Sequence, residues 1–150
     1  LEEIFTINLL GEKNIEQDFF AMMARMKYIE RWALMRNSET ENISEHSMEV
    51  AMLTHALAII GNARLGKSLN AERGALIGLF HDCTEIITGD MPTPIKYYNE
   101  EIKIAFQEIE DKAAGKLLDM LPEDMRKYYE DLFFHVCRCV YAPDGKEICL

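Results

Sequence analysis

Residues 75–87 read ALIGLFHDCTEII, apolar on nearly every helical face except at His81, Asp82 and Glu85. A segment this apolar predicts a helix buried in the middle of a bundle, since a helix half in water carries a polar face. Working outward, Asn70 has the chemistry to cap its start. Thr88-Gly89 suits its end, and Pro92 and Pro94 in GDMPTP forbid continuation. Buried imidazoles and carboxylates without partners cost several kcal/mol, so the three polar groups inside this helix require something to satisfy them.

The flanking sequence predicts more helices. From Asp18 to about Trp32, Phe19, Met22, Met26 and Ile29 recur at spacings of three and four, marking one buried face. After the polar stretch RNSETEN a second helix begins near Ser44, read as its cap, with a buried stripe of His46, Val50, Leu53, Leu57 and Ile60. A fourth, from Asn99 to Leu121, places Ile102, Phe106, Ile109, Ala113, Leu117 and Met120 on one side. Pro122 opens a shorter fifth, through about Phe134. With no strand alternation or repeat, the expectation is all-α: one compact helical bundle over residues 1–150 with a polar intrusion in its core. The tail HVCRCVYAPDGKEICL does not fit that pattern, and Pro143-Asp144-Gly145 reads as a turn.

Composition narrows the function classes. Sixteen Lys and Arg against 26 Asp and Glu give a net charge of -10 and no basic patch, which argues against binding nucleic acid polymers. No apolar run approaches the roughly 18 residues of a membrane span. The start, LEEIFTINLLGEKN, lacks a leader pattern, and four cysteines do not make a secreted disulfide framework. The expectation is a cytoplasmic protein, with enough Met and aromatic content to permit a helical homodimer.

On a helix, His81 and Asp82 project about 100° apart and Glu85 lies one turn beyond both, while His46 lies on the apolar face of the preceding helix. Two imidazoles with one or two carboxylates suit a divalent cation and leave coordination positions open for water and substrate. A second reading of the same pattern makes His46 and His81 core histidines bonded to carbonyls and Asp82 a structural acid. Read alone, Arg31 is equally a surface cation beside Glu30, and Trp32 a core aromatic.

Glu45-His46 within RNSETENISEHS, followed by FHDCTEIITGDMPTPIKY, resembles the HD superfamily of metal-dependent phosphohydrolases, and within it the bacterial 5'-deoxynucleotidases of the YfbR type. The resemblance runs from about Phe20 to Arg126. It implies an HD-domain helical bundle with a metal site between core helices, holding one divalent ion (Co, Mn, Zn, Fe, Ni or Mg) on His46, His81 and Asp82. It further implies that Glu85 assists proton transfer, that Arg31 orients the phosphate, and that Trp32, Asp82, Asp90, Met91, Pro92 and Thr93 bind the substrate, a nucleoside 5'-monophosphate. As an outer-shell acid, Glu85 would instead orient His81.

The resemblance departs toward the C-terminus. The family completes its site with a later Asp, for which Asp144 is the late candidate here, in turn-like surroundings. In a rival reading of the tail, His135, Cys137, Cys139 and Cys149 form a small zinc site. The alternatives for function are another HD activity on nucleotides, such as a phosphodiesterase, and a non-catalytic nucleotide- or metal-binding module.

Overall fold

Asn42, rather than Ser44, starts the helix that carries His46. Its side chain accepts from the backbone N–H groups of Ser44 (3.1 Å) and Glu45 (3.0 Å), and the Glu45 carboxylate reaches back to the Asn42 N–H, a reciprocal capping box. The computed structural model describes residues 18–33, 35, 38–134, 140–141 and 147–148. In these the chain forms α1 (Asp18–Met23), a 3-10 turn (Met26–Tyr28), α2 (Ile43–Leu65), α3 (Ala71–Phe80), α4 (Glu85–Thr88), α5 (Thr93–Lys96), α6 (Glu100–Leu118) and α7 (Glu123–Phe134). A two-residue antiparallel ladder, β1 (Val140–Tyr141) with β2 (Glu147–Ile148), lies in the segment read from sequence as irregular. A pair so short gives too little alternation to be read from the sequence.

α2 and α3 form an antiparallel hairpin. Gly66 closes α2 in the left-handed region (φ 62°), and the Asn62 side chain exchanges hydrogen bonds of 2.7 and 2.8 Å with the Leu69 backbone. Asn70 caps α3 as expected, accepting from the Arg73 N–H at 2.9 Å. The two helices meet backbone to backbone at Gly78, where an added Cβ would stand 2.9 Å from the Ala51 Cα and 3.0 Å from its nitrogen. Gly78 lies one turn before His81, and Ala51 lies just over one turn after His46. This close contact is therefore what brings the two histidines level.

Gly78→Ala should force the helices apart. Overpacking against backbone costs about 1–3 kcal/mol. We expect a melting temperature lower by several degrees, measured by thermal circular dichroism, and an unchanged value would show that the hairpin yields at no cost.

Several sequence expectations are corrected. The first helix stops at Met23 and does not reach Trp32, although Phe19 and Met26 are buried as expected. The central helix does not run through to Thr88. It breaks after Phe80 into a turn of i to i+3 bonds (Cys83 N–H to Phe80 O, 3.2 Å; Glu85 N–H to Asp82 O, 3.0 Å) before α4 resumes. The expected stripe on α2 is only partly inward: Val50 is half-buried, but Leu53, Leu57 and Ile60 are 63%, 56% and 45% exposed. α2 is apolar over most of its circumference, so its pattern could not single out the face against α3. α6 buries Phe106, Ala113 and Leu117 but leaves Ile109 half-exposed, and it ends at Leu118. Pro92 and Pro94 stop one helix and start another, because proline is tolerated in a first turn.

The core lies between α1, α6, α7 and the turn after α3. Phe19, Leu117 and Leu118 are fully buried, Cys83 from the turn packs with them, and Phe19 meets Tyr129 edge-on with ring centroids 5.0 Å apart. The turn thus anchors inward through Cys83 while its neighbours His81 and Asp82 remain partly accessible. Among the described residues no helix is long and apolar enough to cross a membrane.

Candidate metal centre

His46 stands in the first turn of α2, and His81 and Asp82 in the turn that follows α3. Their ligand atoms all lie within 4.8 Å of one another, an arrangement that could hold a metal ion. Asp82 Oδ2 is 2.9 Å from His81 Nε2 and 3.5 Å from His46 Nε2. His81 Nδ1 sits 2.7 Å from the Gly78 carbonyl, so Nδ1–H donates and Nε2 is the nitrogen turned to the cluster. A ring oriented by a backbone carbonyl is the usual support of a metal-binding histidine. The donor set, two imidazoles and a carboxylate at partly buried positions, fits a divalent cation.

The charges reinforce one another. Burial would lower the His81 pKa, but the hydrogen bond and charge of Asp82 outweigh it and hold it above 6.5. Burial would likewise raise that of Asp82, and His81 overrides it in the opposite sense, so Asp82 stays ionised. His46 is lowered by burial and then by Arg31, which favours the neutral imidazole that metal binding needs.

Glu85, opening α4, has a buried Oε2 without a hydrogen-bond partner among the described residues. Burial, then the charges of Asp82 and Asp90, push its pKa up from 4.5 to about 8. A carboxyl group that is neutral at pH 7 can donate a proton, and such displaced acids are typical of reaction sites.

Arg31 reaches the cluster through backbone pairing. Its N–H donates to the Glu41 carbonyl at 2.8 Å, and the Ile43 N–H donates to the Ile29 carbonyl at 3.0 Å, which lays the Arg31 segment beside the start of α2. The Arg31 guanidinium pairs with the Glu41 carboxylate, whose other oxygen is 3.8 Å from His46 Nδ1. Glu41 was not singled out from the sequence, where it is one of several acids in a polar loop.

Trp32 has a left-handed backbone (φ 59°), costly for a bulky side chain, and its N–H donates to Asp90 Oδ2 at 2.6 Å. That bond ties the loop of Asp90, Met91, Pro92 and Thr93 to the Arg31 segment. Within the loop Met91 is half-buried, Pro92 buried and Thr93 exposed. A cavity of about 330 Å³ opens from His81 and Asp82 toward Lys96, Gln107 and Glu110, with Lys96 Nζ 2.7 Å from Glu110 Oε1. Lys96 is a second residue that no spacing argument revealed. Asp144, His135, Cys137, Cys139 and Cys149 lie outside the described residues, and with them the expected fourth ligand and the alternative zinc site.

The helical framework is that of the HD-domain proteins. An HD-domain phosphohydrolase from Listeria innocua superposes with a TM-score of 0.70 at 21% identity, over 79% of this chain and 56% of that one. A protein from Magnetospirillum magnetotacticum, titled a predicted metal-dependent phosphohydrolase, superposes with a TM-score of 0.59 at 27% identity, over 81% of this chain and 58% of that one.

The chain belongs to the 5'-deoxynucleotidase YfbR-like family, whose model matches residues 18–143. A 5'-deoxynucleotidase of Erwinia tasmaniensis is 53% identical over 118 residues, covering 79% of this chain and 60% of that protein. One of Vibrio cholerae is 56% identical over 111 residues, covering 74% and 57%. The 5'-deoxynucleotidase YfbR of Escherichia coli is 50% identical over 117, covering 78% and 59%. The chain thus spans about 60% of the length of the curated relatives it matches.

Proposed function

We propose that this chain carries the metal centre of a phosphomonoesterase that hydrolyses deoxyribonucleoside 5'-monophosphates to nucleoside and phosphate. The observation that carries the reading is the His46–His81–Asp82 cluster with Arg31 and the buried Glu85 carboxyl group within electrostatic reach of it, in a chain about half identical to proteins named 5'-deoxynucleotidase. A divalent cation on those three residues would polarise the phosphate and lower the pKa of water.

In this reading the protein residues divide the remaining work. Arg31, with one edge committed to Glu41, keeps other N–H donors for phosphate oxygens. Trp32 and Asp90 bound the sugar, with Met91, Pro92 and Thr93 as the rest of that wall. Water attacks phosphorus, the bond between phosphorus and the 5'-oxygen breaks, and Glu85 donates its proton to the departing 5'-oxygen. The products are the free nucleoside and phosphate, which keeps the water's oxygen, and the water's released proton restores Glu85. We further infer that residues 1–150 form one HD domain, that the protein is cytoplasmic, and that it pairs with a second copy. The free thiol of Cys83 supports the location, and the exposed Met48, Met52, Leu53 and Leu57 of α2 support pairing.

The test is phosphate release from deoxyribonucleoside 5'-monophosphates, with a nucleotide diester alongside, across a series of divalent metals. Release from the diester alone would point to the phosphodiesterase alternative, and binding without turnover to a non-catalytic module. Arg31→Ala should lower turnover by about 10²-fold, as loss of one charge-stabilising donor does, while the melting temperature changes little. Wild-type turnover in that variant would remove Arg31 from the site.

A further inference from the structure

Behind the metal cluster lies a second, separate cavity. It holds about 220 Å³ and is ringed by Phe19, Phe20, Phe80 and Tyr129, with Met23 and Leu79 also in its wall. No charged side chain lines it, so it has nothing with which to hold a phosphate. One polar group in its wall is unanswered. Ser47 is 1% exposed, and among the described residues its Oγ has no hydrogen-bond partner.

A serine inside a helix ordinarily turns its hydroxyl back onto the carbonyl four residues earlier. Ser47, in the first turns of α2, does not. The other polar hydrogens in the wall are placed differently: the thiol of Cys83 is engaged with Met26 Sδ at 3.6 Å, Ser44 is exposed and Tyr129 is half-buried. Leaving a buried hydroxyl unpaired costs about 1–3 kcal/mol. A cavity lined by aromatic rings, with one fully buried hydroxyl left unpaired, therefore matches a ligand of the same pattern, an apolar ring bearing one hydrogen-bonding group. The volume is adequate, since a dry apolar cavity of roughly 150 Å³ accepts benzene.

We propose that this cavity is a binding site for a small neutral aromatic molecule with one hydroxyl or N–H group, held by the aromatic ring of side chains and by Ser47 Oγ. The site is distinct from the metal centre and does not depend on the proposed reaction. The two are nonetheless adjacent, because Ser47, Phe80 and Cys83 are the chain neighbours of His46, His81 and Asp82.

The experiment is an NMR titration of the full chain with phenol and, separately, with toluene, which has the same shape without the hydroxyl. Both should bind saturably, phenol with a Kd of about a millimolar or tighter, well within what a ligand of its size can reach. Phenol should show ring contacts to Phe19 and Phe80. Ser47→Ala should weaken phenol by about 2- to 10-fold, the worth of one hydrogen bond, and leave toluene unchanged. Met23→Trp, which places an indole in the cavity, should abolish both, with circular dichroism verifying that the variants are folded. Absence of saturable binding by either probe overturns the site, as does binding that Met23→Trp leaves intact. Equal effects of Ser47→Ala on both probes overturn the hydroxyl's role.

Discussion

Glu85→Gln is expected to lower turnover of a deoxyribonucleoside 5'-monophosphate by about 10²- to 10⁴-fold while metal affinity stays within a few-fold of wild type, the usual range for loss of a positioned proton donor. The amide keeps the shape of the carboxyl group and its capacity to accept hydrogen bonds, but has no proton to transfer. An acid that merely oriented His81 would act differently: its loss would weaken metal binding by roughly 10- to 100-fold, and excess metal would restore the rate. Turnover measured across a metal titration separates the two, and recovery at saturation would sink the proton-donor role.

The same substitution has a signature in stability. Because folding raises the Glu85 pKa from 4.5 to about 8, the folded state binds the proton more tightly than the unfolded state does. The contribution of this group is therefore fully favourable below about pH 4.5 and is lost as pH rises toward 8. Denaturant melts of wild type and Glu85→Gln should show the variant losing less stability across that window. Parallel pH profiles would mean that folding leaves the Glu85 pKa unshifted.

Asp82→Asn is expected to have the largest effect of all. It removes the anion that faces both histidines, at 2.9 Å from His81 and 3.5 Å from His46. A neutral amide oxygen is a far poorer partner for a dication. Metal affinity should fall by more than the roughly 100-fold that follows loss of an outer-shell partner, and hydrolysis should fall to background. Asp82 also holds the His81 pKa above 6.5, so in wild type metal competes with a proton for His81 and its affinity should weaken as pH falls toward and below 6.5. In Asp82→Asn this competition should shift to lower pH. Calorimetric metal titration at two pH values measures both effects, and wild-type affinity in the variant would mean that the ion sits elsewhere.

Much of the candidate site is legible in the sequence. His81, Asp82 and Glu85 stood out because charged groups inside an apolar stretch demand partners. His46 followed from its place on an apolar helical face. The cap Asn70 was readable for a related reason: a short side chain satisfying the first turn is a local device. Glu41 and Lys96 were not legible. Each is one charge among many on polar segments, and its importance arises only from what lies across from it, Arg31 in one case and Glu110 in the other.

The sequence by itself determined what depends on neighbours along the chain: the helical class, the Asn70 cap, the proline breaks, and the chemistry of the candidate metal donors. Tertiary structure alone decided which face of α2 turns inward, because α2 is apolar on several sides and only the close approach at Gly78 selects among them. It also decided the break at His81–Thr84. Helical propensity favours running on, but anchoring Cys83 in the core while leaving His81 and Asp82 accessible requires the turn. The left-handed backbone of Trp32 was settled in the same way, by the bond its N–H makes to Asp90, 58 residues away in sequence. Contacts at such separations leave no local periodicity, so only the folded chain reveals them.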